Sequence, residues 1–333
     1  MSNKAIVQDG YNKEDPLGSV KLVTRPIPKA GSGQVVVRMT MRPVNPTDFI
    51  SLRNGLIGGE GQDRVFGSEG CGVVHEVGSD VKSVQKGQRV VTITGLEVFK
   101  GNGAFQEYIL LDEKLVWAVP DDMSDEAACQ FVINPWTTYA MLKDLEVPKG
   151  EYMIQSAANS TLGKQVITLA KHWGIKTINI VRRKEAVAEL KALGADEVIV
   201  STEEDVVARV KEITGGKGAY GALDAVSGTM TGTLAASLRS KGMIYVYGVL
   251  SGTTITVSTL DLWRDIKFDG WIIYNNIMPS AEKSHAVAAE VYPLVQQGVI
   301  PVAKSEKFAF EDFKKAMELA EKVGGEKKIL LVS

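Results

Sequence analysis

The chain contains few of the side chains that build metal centres or covalent cross-links. It has two cysteines, Cys71 and Cys129, and three histidines among 333 residues. A structural zinc site with four cysteines is therefore excluded, and two cysteines make no disulfide framework. Such sparing use of cysteine is typical of a reduced compartment, so we expect a cytoplasmic protein. An organelle is compatible with the same composition if a presequence has been removed from the chain.

The three histidines lie in unrelated patterns. His75 falls in a strand pattern, His172 near the end of a helix pattern, and His285 in a helix with the composition of a surface. A catalytic zinc ion needs Cys, His and carboxylate ligands that converge on it, and this spacing does not predict them. We interpret each histidine as structural or solvated and expect no metal. Both cysteines lie in apolar surroundings, which argues against thiolate catalysis.

The chain also lacks long apolar runs and an excess of one charge. Its residues are 44% apolar and 23% charged, with a formal net charge of -2, which is a globular composition long enough for two domains. No run is long enough to span a bilayer, and MSNKAIVQDG lacks the apolar core of a signal peptide. With no basic block, we expect neither nucleic acid nor a membrane surface as a partner.

Two different patterns of predicted secondary structure divide the chain. Up to about residue 120, short strands are cut by Gly, Pro and Asn, with one short helix at NPTDFISLRNG. From about residue 150, strands alternate with helices, which indicates an α/β fold with a doubly wound parallel sheet. The tail has two helices and ends in the strand KKILLVS. The predicted parallel strands are EYMIQSA, KTINIVR, EVIV, ALDAV, GMIYVYG and, as a sixth, DGWIIYN.

The segment QSAANSTLGKQ joins the first of these strands to a helix, as the opening turn of a dinucleotide-binding unit does. Such turns usually have three glycines; aligned on Gly163, the positions here are Ala158, Ser160 and Gly163. Small side chains still permit a close approach, and hydroxyls can add donors to the helix N-terminus. A turn without a ligand is the alternative. The predicted coenzyme contacts of this domain are Ala158, Asn159, Ser160, Thr161, Leu162, Gly163, Arg182, Arg183, Tyr247 and Gly248.

Basic residues follow the second parallel strand. Enzymes that select NAD usually have an Asp or Glu there, but this chain has Arg182, Arg183 and Lys184, with no acid before Glu185. A guanidinium group binds a 2′-phosphate through two hydrogen bonds and stacks on adenine. The alternative is a solvated basic helix start, although positive charge is unfavourable at the N-terminal end of the helix dipole. The arginines therefore predict NADPH.

Three segments of the first half carry a resemblance to a known family. VNPTDFISLRNG, VFGSEGCGVVHEVG and KGQRVV resemble motifs of the medium-chain dehydrogenase/reductase superfamily, in its zinc-free branch. Where zinc enzymes of this superfamily have Gly-His-Glu, this chain has Gly67, Ser68 and Glu69. The resemblance therefore implies an enzyme without the metal ligand, in agreement with the histidine pattern.

Within this branch, INPWTTYAMLKD, ANSTLG and LKALGADEVI are most similar to 2-enoyl thioester reductases, followed by quinone oxidoreductases and related enone reductases. The implied fold is a discontinuous GroES-like catalytic domain, residues 1–120 and 280–333, with a Rossmann NADPH-binding domain at 121–279. KKILLVS would then be a strand of the first domain. At the position of the tyrosine that enoyl thioester reductases carry, this chain has Leu56. The aromatic of quinone reductases falls on Ile57, so the proton donor is left open.

The resemblance implies hydride transfer from NADPH to a C=C conjugated to a carbonyl, or to a quinone. By position in the family, Asn45, Trp136 and Thr137 surround the nicotinamide and substrate, with Asn45 and Thr137 also assigned to the coenzyme. Tyr139, Thr47 or water would deliver the proton. Each side chain has a structural alternative: Asn45 as a helix N-cap, Trp136 as core, and Tyr139 as packing.

Two further expectations concern a loop and an edge. Four glycines in NGLIGGEGQ, residues 54–62, predict a mobile lid at the mouth of the expected cleft, as against a merely long surface loop. The apolar DGWIIYNNI would be hazardous as an uncovered edge strand, and relatives in this branch pair their Rossmann edges across a two-fold axis. We therefore expect a homodimer.

Two functions remain in play at this point. The first is an NADPH-dependent reductase of a small substrate with a conjugated carbonyl, or of a quinone. The second is a non-catalytic NADPH-binding or structural protein that has lost its proton donor.

Overall fold

The chain folds into two compact units. The computed structural model describes residues 2–10, 12, 14–54, 64–323 and 327–333. The first unit comprises Met1–Ile133 and Val302–Ser333, and the second comprises Asn134–Pro301. Apart from Asn54, the predicted lid lies outside the described residues, the positions of Leu56 and Ile57 included.

The described part of the chain contains the following regular elements. The strands are β1 (Asn3–Gln8), β2 (Val20–Arg25), β3 (Gln34–Pro43), β4 (Arg64–Val65), β5 (Glu69–Val77), β6 (Arg89–Ile93), β7 (Tyr108–Asp112), β8 (Val116–Ala118), β9 (Tyr152–Gln155), β10 (Lys176–Val181), β11 (Glu197–Val200), β12 (Ala219–Asp224), β13 (Leu238–Val246), β14 (Lys267–Gly270), β15 (Ser305–Ala309) and β16 (Lys328–Val332). The helices are α1 (Pro46–Asn54), α2 (Asp125–Cys129), α3 (Ile133–Asp144), α4 (Thr161–Trp173), α5 (Ala186–Leu193), α6 (Val206–Ile213), α7 (Thr229–Ser237), α8 (Thr259–Trp263), α9 (Ile273–Asn276), α10 (Ala281–Gln296) and α11 (Phe313–Val323).

Both divisions between the units come later in the chain than the sequence analysis placed them. The second unit begins at Asn134 and still includes α10, whereas the predicted boundaries lay after residues 120 and 279. An amphipathic pattern shows that a helix buries one face, but it does not show which core receives that face. Val287 and Val291 of α10 are buried in the second unit.

The first unit is built from β-sheets. Strands β2, β1 and β4 form one sheet, and a larger sheet has the order β15-β16-β3-β5-β6-β8, with β7 also paired to β3. The glycine-rich segment of β5 permits its close pairing with β3. A Cβ atom on Gly72 would lie 2.2 Å from the carbonyl oxygen of Arg38, so no larger residue fits there.

The tail strand returns to the first unit, as predicted. Strand β16 pairs antiparallel with β3 and parallel with β15. Ile329 and Leu331 of β16 join a core with Phe66, Phe105 and Phe310. The C-terminal strand therefore completes a hydrophobic core that begins more than 200 residues earlier in the printed chain.

The second unit is the predicted doubly wound sheet. Its strand order is β11-β10-β9-β12-β13-β14, and every pairing in it is parallel. The direction of winding reverses between β9 and β12, and ligands of such sheets bind at the carboxyl ends of the strands beside this reversal. The fold thus directs attention to the segments that follow β9 and β12.

The sixth strand is not DGWIIYN. Strand β14 ends at Gly270, and residues 273–276 form the short helix α9. Trp271 and Ile273 are buried, and the indole nitrogen of Trp271 donates to Asp144 Oδ2 at 3.0 Å. The apolar run therefore turns into the core of its own unit. A short apolar run is compatible with a strand or a buried helix, which is why periodicity alone misplaced it.

Among the helices of the described residues, none has the length and hydropathy needed to cross a bilayer.

Candidate functional site

The turn after β9 has the geometry of a helix start. Ser160 precedes α4, and its hydroxyl oxygen accepts a hydrogen bond from the N–H of Gly163 at 3.0 Å. Ala157 has a left-handed backbone, with φ of 48°. The first amides of a helix have no partner within the helix and point out of its N-terminus, where anions bind. The serine therefore caps the helix and leaves the amides of Thr161 and Leu162 facing that end.

Gly163 occupies the one glycine position that the turn requires. A Cβ atom there would lie 2.6 Å from the carbonyl oxygen of Ala158, closer than real Cβ contacts. Ala158 is fully buried, and its N–H donates to the carbonyl of Ile180 at 3.1 Å, so this amide is used by the sheet. Asn159 and Thr161 are half-buried at the same turn. The residues present fit a pyrophosphate at the helix end.

Two arginines lie directly after β10. Arg182 and Arg183 follow the last residue of β10 and are both exposed. The hydroxyl of Thr202 donates to the carbonyl oxygen of Arg182 at 2.9 Å, which fixes this loop against the segment after β11. Lys184 lies 3.8 Å from Glu203, so its charge is partly offset. Both guanidinium-bearing side chains are thus exposed at the carboxyl end of β10.

A buried carboxylate at the end of β12 was not recognised in the sequence. Asp224 is fully buried; its Oδ1 accepts from the hydroxyl of Ser156 at 2.7 Å, and its Oδ2 accepts from Thr231 at 2.7 Å. The Ser156 hydroxyl oxygen accepts from the N–H of Ala225 at 2.9 Å. These bonds hold the ends of β9 and β12 together at the reversal point. The sequence analysis identified ALDAV as a strand of the parallel sheet, but the buried Asp within it gave no periodic signal.

Tyr247 and Gly248 lie at the end of the next strand. The N–H of Tyr247 donates to the carbonyl oxygen of Asp224 at 2.8 Å. A Cβ atom on Gly248 would lie 2.5 Å from the carbonyl oxygen of Ala225, so the two loop segments touch. The Tyr247 hydroxyl is buried and has no hydrogen-bond partner among the described residues. Burial, with the nearby Asp224 charge, raises the pKa of Tyr247, so the hydroxyl stays protonated and can donate.

Helix α3 buries all three of its predicted site residues. Trp136 is fully buried, and Thr137 and Tyr139 are nearly so. Lys143 donates to the Tyr139 hydroxyl at 3.0 Å, and the Tyr139 ring meets Trp173 edge-on at 5.6 Å. Tyr139 is thus packed within its helix surroundings, and its predicted role in proton delivery stays a prediction. The helix is placed in the core of the second unit.

In the first unit, Asn45 belongs to a buried polar cluster. Its amide nitrogen donates to Glu69 Oε1 at 3.1 Å, and its amide oxygen accepts from Lys328 Nζ at 2.6 Å. The other oxygen of Glu69 accepts from the N–H of Ile133 at 2.8 Å. Lys328, from the last strand, was not recognised as part of this cluster. Both ends of the Asn45 amide are oriented by charged partners, a different arrangement from the predicted side-chain N-cap.

Asp48 supplies the second acid of this cluster. Its Oδ2 accepts from the N–H of Asn45 at 2.8 Å, and its Oδ1 accepts from the hydroxyl of Ser68 at 3.3 Å. Burial raises the pKa of Asp48 to about 7 and raises that of Glu69, while burial lowers the pKa of Lys328. One cation therefore faces two buried acids, and Asp48 is protonated below about pH 7. Thr47, on the same helix, is exposed.

Ser68 occupies the position where zinc relatives have a histidine, and it is hydrogen-bonded to Asp48. Within the described ranges, no three side chains of His, Cys, Asp or Glu are grouped so that they could hold a metal ion.

Two family models match the chain. The model of the alcohol dehydrogenase GroES-like domain matches residues 31–121, and the model of zinc-binding dehydrogenases matches residues 161–288. Among curated proteins, the mitochondrial enoyl-[acyl-carrier-protein] reductase of Caenorhabditis elegans is 34% identical over 327 residues, covering 96% of this chain and 92% of that protein. The human enzyme of the same name is 28% identical over 323 residues, covering 92% and 83%.

Solved structures agree over the whole chain. A putative NADPH:quinone reductase from Bacillus thuringiensis has a TM-score of 0.90 at 26% identity, covering 100% of this chain and 99% of that one. The quinone oxidoreductase of Escherichia coli, in complex with NADPH, has a TM-score of 0.89 at 25% identity, covering 99% and 100%.

Proposed function

The chain belongs to the zinc-free branch of the medium-chain dehydrogenase/reductase superfamily, and from this premise we propose that it reduces carbon–carbon double bonds conjugated to a carbonyl, with NADPH as the hydride donor. The substrate class is a 2-enoyl thioester, enal or enone. The named sequence relatives are enoyl reductases, and one of the solved structures binds NADPH. The chain is an enzyme of small-molecule chemistry.

One arrangement in the second unit carries the proposal. The capped N-terminus of α4 follows β9, and two exposed arginines follow the adjacent β10. This combination suits a dinucleotide with an additional phosphate, because the helix end binds the pyrophosphate and a guanidinium binds the 2′-phosphate. The unpartnered hydroxyl of Tyr247 at the same edge offers a further donor.

When bound, the nicotinamide supplies a hydride to the electron-poor carbon of the double bond. The residues of the chain bind and orient the coenzyme, and donors are needed for the enolate charge that develops on the substrate. The roles of Asn45, Thr47, Trp136 and Thr137 in this step stay predictions. For proton delivery, Tyr139, Thr47 and water all stay predictions; the Tyr139 hydroxyl accepts from Lys143 and keeps its own proton to donate.

The test is a substrate panel with the purified protein. We expect NADPH oxidation with at least one class among 2-enoyl thioesters, enals and enones, and much slower oxidation with NADH. A quinone belongs in the same panel, because the similar solved structures are named quinone reductases. Turnover of quinones alone would replace the proposed substrate class. Binding of NADPH with no turnover of any member would favour a non-catalytic protein.

We also propose a homodimer formed through the second unit. Strand β14 is terminal in its sheet, and the nearby helix α8 exposes apolar side chains, with Leu260 at 62%, Leu262 at 53% and Trp263 at 77%. Exposed apolar patches and sheet edges of this kind mark association surfaces. A second copy of the chain would cover both the edge of β14 and the apolar side chains of α8. In a dimer with a two-fold axis, the same surface patch of each copy lies at the interface.

The compartment stays a prediction. The curated relatives are named mitochondrial, and the cysteine content predicts only a reduced setting.

A further inference from the structure

The only two cysteines of the chain meet inside the first unit. Cys71 lies on β5 and Cys129 ends helix α2, and both are buried. The Cys71 thiol donates to the carbonyl oxygen of Asp125 at 3.5 Å, and the Cys129 thiol donates to that of Glu126 at 3.4 Å. Asp125 and Glu126 are consecutive residues of α2, so the backbone of this one short helix receives both sulfurs, Cys129 from within the helix and Cys71 from β5.

The two thiols are electrostatically unlike. The neighbouring Cys129 side chain has the largest influence on the pKa of Cys71 and lowers it; burial raises it, and Thr40 and the Arg42 guanidinium lower it further. Burial raises the pKa of Cys129. A thiolate is the reactive form of cysteine, so Cys71 is the nucleophile of the pair and Cys129 the thiol that remains protonated.

We propose that Cys71 and Cys129 are a peroxide-responsive thiol pair that closes to a reversible intramolecular disulfide. The Cys71 thiolate attacks one oxygen of a hydroperoxide, which breaks the O–O bond and leaves a sulfenic acid and, after protonation, water or an alcohol. The Cys129 sulfur then attacks the sulfenic sulfur and loses its proton, a second water leaves, and the S–S bond forms. Two thiols are oxidised and one peroxide is reduced.

The position of the pair makes this reaction feasible and gives it a consequence. Helix α2 has five residues and an exposed Asp125, so a local opening of this short element admits a small oxidant. Cys71 lies two residues after Glu69 on β5, and Cys129 lies four residues before Ile133, whose N–H binds Glu69. A covalent bond between β5 and α2 therefore acts on both segments that hold Glu69.

The decisive measurement does not depend on the proposed function. The full-length protein is treated with graded hydrogen peroxide under native conditions, its remaining thiols are blocked, and it is digested with trypsin without reduction. We expect residues 65–82 joined to residues 115–143, with a loss of two hydrogen masses, and separation of the two peptides after dithiothreitol. The free thiols of Cys71 and Cys129 should be lost to the same extent at each peroxide concentration, because each S–S bond consumes one of each.

Two outcomes would overturn the proposal. One is that both thiols of the native protein still react with the blocking agent at peroxide concentrations that oxidise exposed methionines. The other is independent oxidation of the two cysteines to sulfinic acids with no linked peptide. The variant Cys129→Ala removes the partner thiol, so dimedone should trap a sulfenic acid at Cys71 in that variant and several-fold less in the wild type.

Discussion

Glycines in a dinucleotide-binding turn meet two different requirements, and Gly163 of this chain meets one of them. One requirement is room for the helix against the strand; the other is room for backbone to approach a phosphate. Ser160 occupies the position of the second requirement and Ala158 that of the tight bend, and a small side chain is tolerated at both. Gly163 meets the first, because a Cβ atom at this position would lie 2.6 Å from the Ala158 carbonyl oxygen, too close for a larger residue to fit there.

Substitution Gly163→Ala therefore should displace the turn. We expect a loss of stability of about 1–3 kcal/mol from overpacking, and about a tenfold loss of NADPH affinity as the helix amides move. Isothermal calorimetry and chemical denaturation measure the two effects. Gly270→Ala is the matched control, because a Cβ atom there has open space around it. Unchanged affinity and stability in Gly163→Ala would show that the turn relaxes freely.

Asp48 makes stability depend on pH. Its pKa rises from the ordinary 3.8 to about 7 in the folded protein, so the folded state favours the protonated acid. The stabilisation is complete below pH 3.8 and is lost as the pH rises through 7. Relative to Asp48→Asn, which cannot ionise, the wild type should lose up to about 4 kcal/mol between pH 4 and pH 8.

Urea unfolding of both proteins at pH 4, 6 and 8 tests this difference. Glu69 and Lys328 are retained in the variant, so changes in their ionisation largely cancel. Parallel stability curves would mean that Asp48 is ionised throughout and is compensated by Lys328.

At the scale of elements, the sequence predicted the second unit better than its edges. Alternation of strands and helices implied the parallel sheet, whereas the cap of α4, in which the Ser160 hydroxyl oxygen accepts from Gly163, was not predicted. The prediction of a strand at DGWIIYN was wrong, because an apolar run does not indicate whether it forms a strand of the sheet or packs into the core. The cluster of Asn45, Glu69 and Lys328 was out of reach, since it joins residues 283 positions apart with no local pattern.

The loop between β10 and α5 is the element that should select the coenzyme. Replacing both Arg182 and Arg183 with Ala removes the exposed guanidinium groups and should weaken NADPH binding about 10- to 100-fold, while NADH binding changes little. Calorimetry with the two coenzymes measures the ratio directly. Lys211→Ala, an exposed cation on α6 rather than α5, is the control. Equal loss for both coenzymes would contradict a specific phosphate contact.

At the scale of the whole molecule, a single chain leaves large apolar side chains of the second unit exposed. Trp263 has 77% of its surface exposed, next to Leu262 at 53%, on a helix of five residues. A tryptophan left in water forfeits burial worth several kcal/mol, whereas at an interface it is the type of residue that contributes most to association. The apolar surface and the terminal strand β14 belong to the same unit, so a two-fold contact explains both features.

Trp263→Glu should therefore shift the protein from dimer to monomer. A carboxylate placed at the centre of a self-complementary contact appears twice across the two-fold axis, and burying it without a partner costs several kcal/mol. Sedimentation velocity over a range of micromolar concentrations should show a dimer for the wild type and a monomer for the variant, with NADPH affinity retained. Leu96→Glu changes an equally apolar side chain, 56% exposed, in the first unit, and should leave the dimer intact. A wild-type protein that sediments as a monomer at every concentration would remove the dimer. Dissociation by both substitutions alike would move its interface away from α8.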